Sequence, residues 1–306
     1  MHVRVCIVAF RNPDDIAQCI AALAQQTYEQ FEVVICENGG AAAQAELASR
    51  LPAALPGGQT IRLIADESNP GYAGGVNNCI AAEGAADAFW ILNPDTVAEP
   101  ATLQALVARL SDGSADAVGG PLLDGDGNIG SCGGQWISLL AYARSIGMGR
   151  AFSEAPTAAM VERKMRFISG ASMLCSRHFV DVAGVMRNDY FLYCEEVEWC
   201  LRAAQKGLKL GYCPEARVVH HQGSSTGSFE AVKMRGRLPV YCNERNRILT
   251  LRDTEPHLLL IGVFGALAVI IYFYGRHRAW RQLLIALVAW RDGVMNRRGK
   301  PAWLSA

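Results

Sequence analysis

The chain has 306 residues, 51% of them hydrophobic and 19% charged, which suits one large α/β domain with an appendage, or two small domains, and excludes wholesale disorder. Its 29 basic and 29 acidic residues cancel, but they are unevenly spread. From Arg276 onward seven basic residues (Arg276, Arg278, Arg281, Arg291, Arg297, Arg298, Lys300) stand against the single acid Asp292, so a tail of +6 follows a body of −6, a pattern that points to a membrane surface rather than to nucleic acid.

Residues 3–10 (VRVCIVAF) read as a buried strand, without the charged lead and cleavage site of a secretory signal. Pro13 and Asp14 then open a helix whose apolar positions Ile16, Ile20 and Leu23 recur at helical spacing. Residues 31–36 and 60–65 are predicted strands, 73–83 a helix and 88–92 (AFWIL) a further strand. Such alternation implies a mostly parallel sheet covered on both faces, with ligands beyond the carboxyl ends of its strands. Residues 112–134, rich in Gly and Asp, predict turns and short hairpins. A strand interrupted by Ser-Gly-Ala follows at 165–175, then a helix over 195–206 ended by Gly207, and short strands at 208–213 and 216–221. The polar stretch 222–228 is expected to be mobile. Ten scattered cysteines, among them Cys6, Cys36, Cys175 and Cys213 inside apolar runs, form no C-x-x-C pair and are expected to be reduced core residues.

Four segments carry candidate chemistry. The loops Ala9-Phe10-Arg11-Asn12 and Glu37-Asn38-Gly39-Gly40 follow two strands; they are either ordinary turns or a nucleoside site in which a carboxylate meets ring N–H or ribose hydroxyls. The Gly-rich run from Asn69 through Gly74 to Asn78 can bring backbone close to an anion at a helix N-terminus, or simply make a turn. Asn93-Pro94-Asp95 at a strand end places a carboxylate where a divalent cation could sit, although Asp95 could equally cap a helix. Glu195, Glu196 and Glu198 crowd one helix start; Glu195 and Glu198 are predicted to share a face with Glu196 pointing elsewhere, and like charges this close raise each other's pKa, which suits a general base. A helix N-terminus also favours acids for structural reasons alone.

Taken in order, the stretches IVAFRN, QQTYEQFEVVICENG, NPGYAGGVNN, ILNPDT, ISGASMLCSR, YFLYCEEVEWCLRAAQKG and PEARVVHHQGSSTG resemble the family 2 glycosyltransferases of the GT-A fold, and within them the rhamnosyltransferase-like enzymes of bacterial polysaccharide assembly in the cell envelope. The resemblance covers roughly residues 3–250 and implies a mostly parallel α/β sheet with flanking helices, a catalytic domain over 1–250 and a helical, membrane-associating segment over 251–306. It implies that Asp95 is the retained metal-binding aspartate, with Asn93 at the first position of the usual D-x-D. His220 is implied to complete the Mg2+ or Mn2+ site, and Ala9, Phe10, Arg11, Glu37, Asn38, Asn69, Gly74, Asn93 and Asp95 to hold the nucleoside-diphosphate sugar. Glu196, or its neighbour Glu195, is the implied catalytic base of an inverting transfer to a lipid-linked or polysaccharide acceptor. Met186-Arg187-Asn188 departs from the family's usual Phe-Asp-Glu, which puts acceptor contacts there in question, and Lys233, Arg235 or Arg237 is expected to close over the diphosphate. The implied donor is dTDP-rhamnose, with UDP-linked galactofuranose, glucose or N-acetylhexosamine as alternatives. Two further readings are nucleotidyl transfer, which lacks a basic N-terminal loop beyond Arg11, and a non-catalytic sugar-nucleotide binder.

Nucleotide sugars are cytosolic, so the body is expected at the cytoplasmic face of the inner membrane. The charge-free run 258–274 would span about 25 Å as a helix, short of a hydrocarbon core of ~30 Å. One crossing would also put the basic tail outside, against the positive-inside tendency, and the run 283–290 is too short to return. The tail is therefore expected to lie flat, with Trp280, Trp290 and Trp303 at headgroup depth; the alternative is a helix packed on the body's own core.

Overall fold

The computed structural model describes residues 1–220 and 231–304. The polar stretch expected to be mobile lies outside them. The chain begins with β1 (Val3–Ala9), α1 (Pro13–Leu23), β2 (Phe31–Glu37), α2 (Ala41–Arg50), β3 (Ile61–Ala65), α3 (Gly71–Ala81) and β4 (Ala88–Leu92). It continues through β5 (Thr96–Ala98), α4 (Thr102–Ser111), β6 (Ala117–Gly119), β7 (Leu122–Leu123), β8 (Ile129–Ser131), β9 (Gly134–Ile137), β10 (Tyr142–Ser145) and α5 (Ala158–Lys164). Next come β11 (Ser172–Ser176), α6 (Arg177–Ala183), α7 (Glu195–Gln205), β12 (Leu210–Tyr212) and β13 (Val218–His220). Three helices close the chain: α8 (Arg237–Thr254), α9 (Leu259–Arg276) and α10 (Trp280–Val294).

The main sheet has the order β12-β6-β11-β4-β1-β2-β3, parallel except for β11, which runs antiparallel to both β4 and β6. The central strands are covered on both faces, and β1 and β4 are buried at every position. That is why their sequences read as continuous apolar runs instead of alternating. The strand expected over 165–175 is regular only from Ser172; Ser169, Gly170 and Ala171 form a loop instead. The expected helix at 73–83 starts two residues earlier and ends at Ala81.

Arg4, on β1, is wholly buried within the fold and pairs with Glu32 at 2.6 Å. Its guanidinium donates to the carbonyls of Ile80 (3.1 Å), Ala82 (2.6 Å), Glu83 (2.9 Å) and Gly84 (3.0 Å). These lie at and just beyond the C-terminus of α3, where a helix leaves carbonyls unsatisfied and a cation meets the negative end of the dipole. Arg4 thus pins α3 to the sheet, and the opposite end of that helix faces the cleft described below.

The expected division at residue 250 falls within α8, a continuous helix buried on most sides between the α/β body and α9 and α10. A helix without a wet face belongs to a core. In α9, a Cβ at Gly265 would stand 2.0 Å from the Leu139 carbonyl oxygen, so only glycine lets this helix rest on the backbone of residues 138–140. The helical stretch Pro256–Arg276 has 21 residues, longer than the apolar run alone implied; at about 30 Å its length no longer argues against crossing a bilayer. Leu260, Ile261, Phe264, Ile271 and Tyr272 of α9 are exposed, as are Trp280, Leu284 and Val288 of α10. Two of the expected interfacial tryptophans turn inward: Trp290 donates its indole N–H to the Val263 carbonyl (2.9 Å), and Trp303 packs edge-on against Tyr241 with the Arg237 guanidinium 4.1 Å above its ring. Only Trp280 remains on the apolar face. All ten cysteines are free and buried.

Candidate active site

A cleft of about 720 Å3 opens beyond the carboxyl ends of β1, β2 and β4. Loops after those strands supply Phe10, Arg11 and Asn12, then Asn38, Gly39 and Gly40, then Asn93, Pro94 and Asp95. The opposite wall comes from residues 169–171, the turn before α7, and Leu238, Lys300 and Leu304 from the C-terminal helices and tail.

The first two loops are tied together. Glu37 is 1% exposed, and its Oε1 accepts the backbone N–H of Gly39 (2.6 Å) and of Arg11 (3.3 Å). Arg11 returns an Nε–H to the Gly39 carbonyl at 3.0 Å. Glu37 was expected to meet a base or ribose; its carboxylate is instead occupied in shaping the loops and does not line the cleft. Ala9 accepts the Asn38 backbone N–H (2.9 Å) behind the wall. Gly74 sits inside α3, where a Cβ would meet Pro70 at 2.4 Å, and it too does not line the cleft. Phe10, Arg11, Asn38, Asn69, Asn93 and Asp95 do line it.

The glycine-rich run therefore serves close packing of chain on chain more than approach to an anion. At Gly71, φ is +78° and a Cβ would stand 2.0 Å from the Phe191 carbonyl oxygen, which accepts the Tyr72 N–H at 2.8 Å. This contact joins the start of α3 to the turn that precedes Glu195 and Glu196.

Asp95 and His220 meet through a second sheet, order β5-β13-β7-β8. β5 and β13 pair antiparallel with His220 opposite Thr96, so Asp95, one residue earlier, falls beside the imidazole. His220 Nε2 lies 3.1 Å from Asp95 Oδ1. Both side chains are about nine-tenths buried, and His220 Nδ1 has no hydrogen-bond partner among the described residues. A carboxylate and an imidazole meeting at a cleft wall fit Mg2+ or Mn2+, which complete their shells with water and phosphate oxygens. Among the described residues no group of three potential protein ligands occurs, so those further oxygens would come mainly from the substrate.

At the start of α7, Glu195 and Glu196 both line the cleft, while Glu198 turns away. Glu198 is held by Arg202 at 2.7 and 3.0 Å, and its side chain is 2% exposed. The predicted pairing of Glu195 with Glu198 on one face thus yields to a stronger local partner. Glu195 is 3% exposed, and its Oε2 lacks a hydrogen-bond partner among the described residues. Burial, and next the charge of Glu196, push the Glu195 carboxyl well above the usual range; burial also raises Glu196. Pairs of this kind titrate together.

Several residues of this site went unnoticed in the sequence. Tyr72 is raised well above an ordinary phenol by burial, then by the charges of Glu195, Glu196 and Asp95, which places its hydroxyl among the site's carboxylates. That hydroxyl lies 2.9 Å from Asn93 Oδ1 and 2.8 Å from the Gly170 carbonyl, with one proton to donate between them. Asn246, wholly buried in α8, directs its amide N–H groups at the carbonyls of Tyr190 (3.0 Å), Leu192 (2.8 Å) and Tyr193 (2.8 Å). Arg245 adds a bond of 2.9 Å to Tyr190. This clamp holds a turn in which Phe191, Tyr193 and Cys194 have φ of 69°, 70° and 66°, each costing about 1–3 kcal/mol for a residue with a side chain. The polar run NERNR inside an otherwise buried helix was the available signal. Met186, Arg187 and Asn188 do not line the cleft; Asn77 binds the Met186 backbone and Arg187 pairs with Asp189 at 2.6 Å. Arg237 is engaged with Trp303, Arg235 stands over the Phe273 ring, and the Lys233 carbonyl accepts from Gln282. None of these three basic residues lines the cleft.

The profile of the family described as "Glycosyltransferase like family 2" matches residues 2–238. The chain is 27% identical over 243 residues to the N-acetylglucosaminyl-diphospho-decaprenol L-rhamnosyltransferase of Mycobacterium tuberculosis, a match covering 73% of this chain and 77% of that relative. A dTDP-rhamnosyl transferase of Shigella flexneri is 30% identical over 95 residues, 30% of this chain and 32% of the relative. In fold, the chain is similar to a mannosyltransferase from Pyrobaculum calidifontis solved with GDP-Man and Mn2+ (TM-score 0.56, 15% identity, 97% of this chain and 88% of that one). It is also similar to GalNAc-T7 with UDP, GalNAc and Mn2+ (TM-score 0.61, 14% identity, 82% of this chain), spanning about half, 48%, of that longer protein. With the family profile running from β1 into α8 and the GT-A architecture around the cleft, the chain belongs to glycosyltransferase family 2 and is a glycosyltransferase.

Proposed function

We propose that this glycosyltransferase transfers rhamnose from dTDP-rhamnose to a hydroxyl of a lipid-linked acceptor, inverting the anomeric centre. The observation that carries the transfer chemistry is that the Asp95–His220 pair and the Glu195–Glu196 pair open into one cleft. The nucleoside rests against Phe10, Arg11, Asn38 and Asn69, and the diphosphate reaches towards Asp95 and His220. Asp95 and His220 would hold a divalent cation there, and its charge would stabilise the departing diphosphate. Glu196 accepts the proton of the acceptor hydroxyl while its oxygen bonds to the anomeric carbon from the face away from the breaking bond to diphosphate. Glu195, the more deeply buried partner, holds its proton first and leaves Glu196 as the charged base.

The choice of rhamnose rests on the names of the relatives at 27% and 30% identity. A thermal-shift screen with Mg2+ or Mn2+ tests it. A donor at 100 times its dissociation constant adds about 2.7 kcal/mol of stability, so dTDP-rhamnose is expected to raise the melting temperature clearly and to release dTDP when acceptor is added. Stabilisation and turnover by a UDP-sugar alone would replace rhamnose and keep the transferase.

The exposed apolar face of α9 and α10, followed by the basic tail, supports docking at the membrane surface without crossing. The close rest of α9 on residues 138–140 supports lying flat, since a crossing would pull it off the body. Full-length protein is expected to float with vesicles containing anionic lipid, and the double substitution Phe264→Asp, Leu284→Asp is expected to leave it at the bottom of the gradient. Unchanged flotation of that variant would remove this face from membrane binding.

A further inference from the structure

We propose that the C-terminal strap, residues 298–304, forms one wall of the acceptor subsite and that Lys300 binds a phosphate or diphosphate group of the acceptor. This rests on the glycosyl-transfer reading above. After α10 the chain doubles back over the catalytic body and is fastened there. Arg298 pairs with Asp253 at 2.7 Å and Asp189 at 3.2 Å, and Arg245 donates to the Gly299 carbonyl at 2.8 Å. Beyond this anchor Lys300 and Leu304 line the cleft, while Trp303 between them is held by Tyr241 and Arg237. The strap is thus held by ion pairs and a hydrogen bond to α8 and to the turn at Asp189.

Two formal cations stand among the described cleft residues, Arg11 and Lys300. Arg11 is committed to the Gly39 carbonyl at the nucleotide end. Lys300 comes from the strap, which brings Leu304 to the cleft and packs, with Leu192 and Leu238, into the same apolar cluster as Ile285 and Ala289 of α10. On that helix, Leu284 and Val288 are exposed. The apolar wall of the cleft at Leu238 and Leu304 is therefore packed on α10, the helix that exposes Leu284 and Val288, with a cation beside that wall. A molecule that presents a hydroxyl, then an anionic phosphate, then a hydrocarbon chain matches these three features in order. A cation meeting phosphate makes a charge-assisted bond, which also selects against acceptors without the phosphate.

Steady-state kinetics of the full-length enzyme with two acceptors test this: N-acetylglucosamine on a short polyprenyl chain through diphosphate, and the same sugar on an alkyl chain without phosphate. Lys300→Gln is expected to raise KM for the diphosphate acceptor about tenfold, with donor KM unmoved and Lys300→Arg restoring much of the loss. For the phosphate-free acceptor, KM starts high and the substitution adds little. Equal rises for both acceptors, or a rise in donor KM instead, would overturn the assignment, the latter moving Lys300 to the donor diphosphate. Wild-type enzyme that transfers to neither acceptor would sink the lipid-acceptor reading itself. Lys300 is solvent-exposed, so melting temperatures of the variants should match wild type and separate binding from folding.

Discussion

Glu196→Gln is expected to lower turnover by about 100-fold or more while leaving donor affinity intact. The amide keeps the shape of the side chain at the start of α7 but cannot take the acceptor's proton. The donor contacts proposed above are Phe10, Arg11 and Asn38, on loops separate from α7, and the clamp from Asn246 holds the turn whichever side chain follows. Because burial raises both carboxyls of the pair, the wild-type rate should climb with pH through an apparent pKa above the ordinary carboxylate range, and this limb should vanish in the variant. Stability carries the opposite sign. A carboxyl whose folded pKa is raised is no burden below its unfolded pKa and destabilises as pH rises through the folded value. Glu195→Gln removes that burden, so it should melt higher than wild type at neutral pH and lose its advantage in acid. Near-normal turnover of Glu196→Gln beside a dead Glu195→Gln would place the base one residue earlier.

Asp95→Ala should cost more than 100-fold in kcat/KM and abolish the Mn2+-dependent part of the donor's thermal shift. Excess chelator should silence the wild-type enzyme, and added Mg2+ or Mn2+ should restore it. Asp95 precedes β5, and the pairing of Thr96 with His220 uses backbone bonds that survive truncation of the carboxylate, so the small sheet should remain folded. The melting temperature without donor is the control. Full activity in excess chelator would mean that the diphosphate departs without a cation, leaving Asp95 and His220 as a structural pair.

Periodicity and local chemistry were enough for the main elements. The apolar runs of β1 and β4 have one stable use, as strands covered on both faces, and Pro13 and Gly207 mark helix ends through backbone constraints that act within a few residues. The placing of Asp95 after a strand and of acids at a helix start was equally local, and so was the resemblance built on them. Which of these side chains enter the cleft was decided by the partners each one meets in the folded chain, near or far in sequence. Glu198 leaves it because Arg202 stands one turn on, and Glu37 is withdrawn because the Gly39 and Arg11 N–H groups claim it. Asp95 reaches His220, 125 residues away, only through the pairing of β5 with β13. Gly71 is required by the Phe191 backbone, the strained turn before α7 is held by Asn246, and Lys300 enters the cleft because Arg298 and Arg245 fasten the strap. Hydrogen bonds and ion pairs act over about 3 Å in space whatever the separation along the chain. A residue's type and its immediate neighbours therefore determine the element it forms, while its role in the site depends on partners that only the folded chain brings within reach.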